Sequence, residues 1–450
     1  MLKNRREREL STTYAEVLSA GSISPRYSLE TSLAAMSRLG VEETVRLLRR
    51  HKVRGLISQR LSAYPDSAVA SAVVEQLAPN VARLVRLRAE LPSTLAFLAD
   101  LGVELGIGVG VFKGVAARQW YADPDARDFG DLDLCLRSFS DAQRLASALR
   151  DSAGYMFHPS EHPWLKRRLG DGPIYGQILL EDVTGERMAL DIHFGGYSVR
   201  HCAHLDIAVP DEPGLHYLEP AQNLAAMINN AAGDHFVSMK DVNDLLIGSA
   251  QFPDDLSRAF QLAADAKLDS FASVLVALVA ETSSTTPAQD SVLSQAARRF
   301  RAEPDAPTRT DSWTRRWVAT AIHAFRVGRA RSLRDGVALA VDAAQYYRKR
   351  MSLQVVDDAG DAPGDIHLDQ HTCLKLVPLH LLEGADTGGT DRVVPGRGTV
   401  LADELRVIST AAGPLISIRD EVFVPTVTHR VPRDLVHAAQ ALVTSRAADD

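Results

Sequence analysis

The chain has 450 residues, of which 46% are hydrophobic and 24% charged, a balance that excludes wholesale disorder, a collagen-like repeat and a small disulfide scaffold. At about 150 residues per domain, the length suggests about three domains. Fifty Lys and Arg against 57 Asp and Glu leave a net charge of −7, so the chain as a whole is not a polyanion binder, and a nucleic-acid partner, which would need a local basic patch, is not favoured. Three isolated cysteines, Cys135, Cys202 and Cys373, form no Cys-x-x-Cys pair; a reduced, cytoplasmic protein without a zinc cage is expected. The charged N-terminal residues lack the apolar stretch of a secretion signal, and no apolar run of about 18 residues appears, so neither export nor a membrane span is expected.

In chain order, residues 1–100 read as a helical region, with apolar side chains recurring at three and four, as in Val41, Val45 and Leu48. Over residues 101–213 the texture changes to short apolar runs (109–112, 132–136, 178–180, 188–194) separated by Gly, Asp and Pro, with the clearest helix at 139–150. Residues 214–350 return to helical patterning, opened by Pro220 near a first-turn position and broken at 281–287 and 303–311. An acidic linker at 351–365 precedes a β-rich C-terminal module at 366–450, closed by a helix over 432–445. The fold class is α+β: a mixed-sheet core flanked by helical regions, with a small C-terminal β-rich module.

The densest chemical signal lies in residues 111–136. Asp131 and Asp133 are two apart at the start of a strand-like run, so both carboxylates project from one face. Two hard anions side by side repel unless a cation sits between them, as magnesium would. A second strand offers Asp191 and His193 on one face. If the two strands are neighbours, Asp131, Asp133 and Asp191 form a triad able to hold two divalent ions ~3.5–4 Å apart, the arrangement of in-line phosphoryl displacement. His193 reads as a group hydrogen-bonded beside that site, because magnesium prefers oxygen.

Other charges carry competing readings. Lys113 is either a site cation or a strand-end charge reaching for water, and Arg127 either meets a ligand or pairs with Asp123 or Asp128. Lys240, Asp241 and Asp244 sit where a helix could face the cleft, yet a solvated helix face is the commoner explanation of such charges. Glycines 108, 110 and 114 mimic a dinucleotide-binding run, but they lie within the apolar run rather than after it. Lys113-Gly114 also lacks the Gly-Lys-Ser/Thr order of a P-loop. His367, Asp369 and His371 read as a solvated strand entry rather than a metal triad. Nine basic residues between Arg315 and Arg350 form the one anion-facing candidate surface, although a solvated helix face balancing the acidic remainder of the chain is the favoured account of them.

Taken together, Phe112-Lys113-Gly114, Tyr121 followed by Asp123-Pro124, Arg127, Gly130-Asp131-Leu132-Asp133 and the later Asp191-Ile192-His193 resemble the signature of the uncharacterised nucleotidyltransferase family, within the DNA polymerase β-like superfamily. Asp234-His235 and residues 239–247 resemble that family's helical run. The matching motifs span residues 96–250, leaving the N-terminal helices and the C-terminal module outside. The family pattern differs here by Leu132 and Ile192, and Lys113-Gly114 stands where the wider superfamily has Gly-Gly or Gly-Ser.

The resemblance implies a magnesium-dependent enzyme, with two ions, that moves a nucleoside monophosphate from an NTP, ATP by default, to a hydroxyl or phosphate of a small-molecule, peptide or protein acceptor. It assigns Asp131, Asp133 and Asp191 to the metal and catalysis, and Lys113, Gly114 and Arg127 to the nucleotide, with His193 alongside. The alternatives are a non-catalytic scaffold or antitoxin-like binding protein, and an enzyme that modifies the ends of tRNA or other RNA.

Overall fold

The computed structural model describes residues 2–159, 161–167, 172–198, 204–234, 236–266, 268–299, 354–357, 373–382, 399–402, 405–427 and 430–449, with a few isolated positions. His235, the basic residues of the 315–350 stretch, positions 358–365 of the acidic linker, and His367, Asp369 and His371 lie outside the described residues.

Two compact units emerge, both discontinuous in sequence. Unit one comprises Met1–Leu134, Glu186–Met188 and Ile207–Ser312; unit two comprises Cys135–Gly185, Ala189–Asp206 and Trp313–Asp450. The division falls inside a single strand, β2 (Asp131–Leu136).

Unit one opens with five helices: α1 (Leu2–Ser19), α2 (Leu29–Leu39), α3 (Val41–Arg50), α4 (Arg54–Leu61) and α5 (Ala68–Leu105). The helix α5 holds 38 residues, a rod of about 57 Å at the usual rise. Ser67 caps its start by accepting from the Ala70 amide, and Gly106 ends it in the left-handed region at φ +64°, where a side chain would be strained. The helix α4 has no capping side chain of its own. Its first amides, on Arg54 and Gly55, donate instead to the buried Asp128 carboxylate at 2.7 and 3.0 Å, a cap supplied from 73–74 residues away.

From α5 the chain enters β1 (Gly108–Phe112), which pairs in parallel with β7 (Gly214–Tyr217) and neighbours β2 in the sheet order. A short helix, α6 (Lys113–Arg118), follows β1 directly. Beyond β7 come α8 (Pro220–Gly233), α9 (Met239–Gln251), α10 (Pro253–Asp265), α11 (Asp269–Thr282) and α12 (Pro287–Arg299). Pro220 does occupy the first turn of α8. Both α8 and α9 are buried nearly all round, so they form the interior of the helical layer rather than one of its faces.

Unit two is built on α7 (Phe139–Ala153) and the strands β3 (Tyr155–Phe157), β4 (Trp164–Arg167), β5 (Ile174–Asp182) and β6 (Ala189–Phe194). Strands β4, β5 and β6 are antiparallel neighbours, and β3 also pairs with β5. The end of β2 adjoins β6: the Gly195 amide donates to the Leu136 carbonyl at 3.1 Å, and Phe139 lies 5.1 Å from Phe194 between ring centres.

The C-terminal β-rich module is present as β8 (Gln354–Val356), β9 (Leu374–Pro378), β10 (Thr399–Ala402), β11 (Leu405–Thr410), β12 (Gly413–Ile418), β13 (Glu421–Thr426), β14 (Arg430–Pro432) and a final helix, α13 (Arg433–Asp449). It is joined to the core's own sheet, because β9 pairs antiparallel with β4 through Leu374 and Lys375, giving the order β10-β11-β12-β13-β9-β4-β5-β6. Buried Val377, Leu415, Val422, Val424, Leu435, Val436 and Leu442 form the core between α13 and these strands, each contributing about 1.5–3 kcal/mol by burial.

Candidate active site

The candidate residues of unit one begin where β1 ends. Lys113 takes a left-handed backbone at φ +54°, whereas Gly114 does not; the strained position of this turn is thus the lysine and not the glycine beside it. The turn is held from α8, where the Asn223 carboxamide oxygen accepts from the Lys113 amide. The bend brings the Lys113 ammonium to 2.5 Å from the Asp133 carboxylate, with both side chains largely buried. Asp131 is exposed at the start of β2 and Asp133 is buried. Lys113 is therefore not a strand-end charge standing in water; it is ion-paired with Asp133.

Arg127 is 1% exposed and pairs with neither Asp123 nor Asp128 through their carboxylates. Its Nε lies 2.9 Å from Asp244 Oδ1 and its Nη2 lies 2.7 Å from Oδ2, while Nη1 donates to the Asp128 carbonyl. The Tyr121 hydroxyl donates to the same Asp244 oxygen, Oδ1, at 2.7 Å. Burial pulls the guanidinium's pKa down, but the Asp244 carboxylate and its hydrogen bonds more than offset this, and it ends above its ordinary value. Burial, then the Asp244 charge, push the Tyr121 phenol well up. Asp244 and Asp241, expected on a solvated face, are 0% and 5% exposed: α9 is enclosed by neighbouring elements, so spacing along it does not mark a wet side. Each of the Arg127 nitrogens thus meets a protein acceptor, so the guanidinium is paired within the fold, next to Gly114. A Cβ placed on Gly114 would lie 3.4 Å from Arg127 Nη1.

In unit two, Asp191 and His193 share a face of β6, with His193 Nε2 3.1 Å from Asp191 Oδ2. Both are buried. Gln177 sits opposite His193 in register, and Trp164 opposite Gln177. The indole of Trp164 donates to Gln177 Oε1 at 2.7 Å, and Gln177 Nε2 donates to Asp191 Oδ1 at 2.5 Å. Edge-on to the His193 ring, Tyr197 stands 4.7 Å away between centres. Asp191 is therefore oriented by a chain of side chains drawn from three strands. Neither Trp164 nor Gln177 is marked by any motif; only the cross-strand register places them.

The acidic run before β2 is likewise engaged. Asp125 accepts from Arg118 at 2.8 Å and lies 3.4 Å from Arg88 of α5, and Asp128 caps α4. Cys135 is buried in β2, and burial pushes its thiol up to about 12, so it is an inert core residue. No described helix is long and apolar enough to cross a membrane.

A sequence model for uncharacterised nucleotidyltransferases matches residues 37–284. The resemblance therefore extends past the 96–250 span of the motifs, taking in α3 to α5 at one end and α10 and α11 at the other. The Asp128 cap on α4 and the Arg88–Asp125 pair give a physical reason, since they tie the N-terminal helices to the motif region. No curated protein and no solved structure matches the chain. With more than half of its length matched, the chain belongs to the uncharacterised nucleotidyltransferase family.

Proposed function

We propose that the protein is a magnesium-dependent nucleotidyltransferase that moves a nucleoside monophosphate from an NTP, ATP by default, to a hydroxyl or phosphate of a small-molecule, peptide or protein acceptor, releasing pyrophosphate. The observation that carries this reading is the family match over residues 37–284. Supporting it, Asp133, Asp191 and His193 are all buried and each offers a ligand atom of the kind a metal ion takes. Buried carboxylates persist where a cation compensates them. Asp131, Asp133 and Asp191 supply hard oxygen donors suited to magnesium, and the imidazole of His193 suits it less well. When bound there, the metal would supply charge neutralisation for the phosphates and leaving group.

The chain's own residues have separable tasks in this scheme. Lys113 adds positive charge where the NTP phosphates would lie, at the turn whose next residue, Gly114, packs on Arg127 and Phe129 where a Cβ would stand. Asp191 receives the acceptor's proton at a carboxylate oxygen, held in orientation by Gln177 and His193. Arg127 keeps the floor of the turn rigid through Asp244. Most of the rate enhancement in such chemistry comes from positioning and charge neutralisation.

The test is to incubate the full chain with Mg²⁺, each α-labelled NTP and a panel of acceptors, following label transfer and pyrophosphate release. NTP-dependent product that disappears in Asp131→Ala with Asp133→Ala is expected. No product with any NTP, or undiminished product in that variant, would overturn the proposal.

A further inference from the structure

We infer that Lys52 and Lys240 form a second anion grip, built in unit one to take a polyphosphate through side-chain ammonium groups. Lys52 follows α3 with a left-handed backbone at φ +54°, and Lys240 stands in the first turn of α9. The two segments are pinned together. His51 is fully buried, its Nδ1 accepts from the Met239 amide at 3.1 Å, and its carbonyl accepts from the Lys240 amide at 3.2 Å. The next amide, that of Asp241, is taken by Ser238 Oγ. The start of α9 thus offers no spare backbone donor, and an anion there must be met by the lysines themselves.

Among the described residues, neither ammonium group has a hydrogen bond. The nearest carboxylate oxygen to Lys52 is on Asp234 at 3.7 Å, and the nearest to Lys240 is on Asp241 at 3.9 Å, both beyond hydrogen-bonding range. Asp241 is already committed, accepting from Ser238 N and Oγ at 2.9 and 2.6 Å. Asp244 is committed to Arg127 and Tyr121. Lys240 is only 15% exposed, and burial together with repulsion from Lys52 and Arg127 draws its pKa down to about 8 against the pull of Asp241 and Asp244. Lys52 and Lys240 stand on segments held together at His51, each ammonium in a long ion pair only, and an anion would supply the hydrogen-bond acceptors that both lack; phosphate oxygens are strong acceptors for ammonium groups. Both lysines lie within the family match.

The identity of the anion, as the phosphate tail of an NTP, rests on the nucleotidyltransferase reading; the grip itself does not. The experiment therefore measures metal-free binding of tripolyphosphate to the full chain by calorimetry at fixed ionic strength, with inorganic phosphate and sulfate as further arms. Binding to the wild type, weakened about ten-fold or more in Lys52→Met with Lys240→Met and retained in Lys240→Arg, is expected, since one charged hydrogen bond is worth roughly a factor of ten. Equal binding of sulfate would reduce the site to nonspecific charge and overturn the grip, as would no tripolyphosphate binding at all. Unchanged binding in the double methionine variant would assign the anion to Lys113 instead and equally overturn it. Circular dichroism of each variant confirms the fold. Should tripolyphosphate bind as expected while no NTP yields product, the grip stands and the enzymatic proposal alone fails.

Discussion

Removing Asp244 should damage the protein more than removing any carboxylate proposed for catalysis. Asp244→Ala strips a fully buried guanidinium of the contacts from its Nε and Nη2, leaving Arg127 only the Asp128 carbonyl, and takes the acceptor from the Tyr121 hydroxyl as well. An uncompensated buried charge costs about 3–5 kcal/mol, and the orphaned hydroxyl adds roughly 1–3 kcal/mol. The sum, about 4–8 kcal/mol, is comparable to the whole stability of an ordinary domain. Replacing the network by apolar groups, with Arg127→Met, Asp244→Leu and Tyr121→Phe together, should recover most of this loss, because nothing polar is then left unpaired. Urea titration followed by far-ultraviolet circular dichroism, comparing midpoints at matched slope, measures both. A loss below about 1 kcal/mol in the single variant, or a triple variant as unstable as the single one, would refute the reasoning.

Further expectations follow from other parts of the molecule. Lys240 has a folded pKa near 8, lowered from 10.5; the unfolded chain therefore holds this proton more tightly, and stability should rise between about pH 8 and 10.5. Lys240→Met should flatten that rise in thermal melts, and an identical slope in the variant would count against a depressed pKa. Gly176→Ala would set a Cβ 2.0 Å from the Trp164 carbonyl and 2.7 Å from Phe194 Cζ, forcing β4 and β5 apart at a cost of at least about 1–3 kcal/mol; a melt unchanged from wild type would contradict the β4–β5–β6 packing. ATP with Mg²⁺ at 100 times its Kd should stabilise the protein by about 2.7 kcal/mol, and Asp133→Asn should lose most of that shift; an equal shift without Mg²⁺ would argue for a binding scaffold.

Much of this was legible locally. The helix over 139–150, Pro220 at the opening of α8, and the Asp131–Asp133 spacing on β2 are short-range patterns. Period and capping chemistry act within a few residues, so they can be read along the chain. The solvated reading of Asp241 and Asp244 failed because burial depends on what surrounds a helix. In α9 even the polar positions are enclosed, and the partner that stabilises Asp244, Arg127, lies 117 residues away.

By itself, the sequence determined the alternation of helical and sheet segments, the family and the carboxylates that carry the proposed chemistry, since these depend on residue type, spacing and local hydrogen bonding. Tertiary structure decided that Asp128 caps α4, that Trp164 and Gln177 orient Asp191, that Lys113 turns back onto Asp133, and that β9 extends the core sheet through β4. Each of these contacts depends on strand register or on docking between segments far apart in the chain. No local energy term fixes such pairings; they follow from closing many long loops at once within each packed unit.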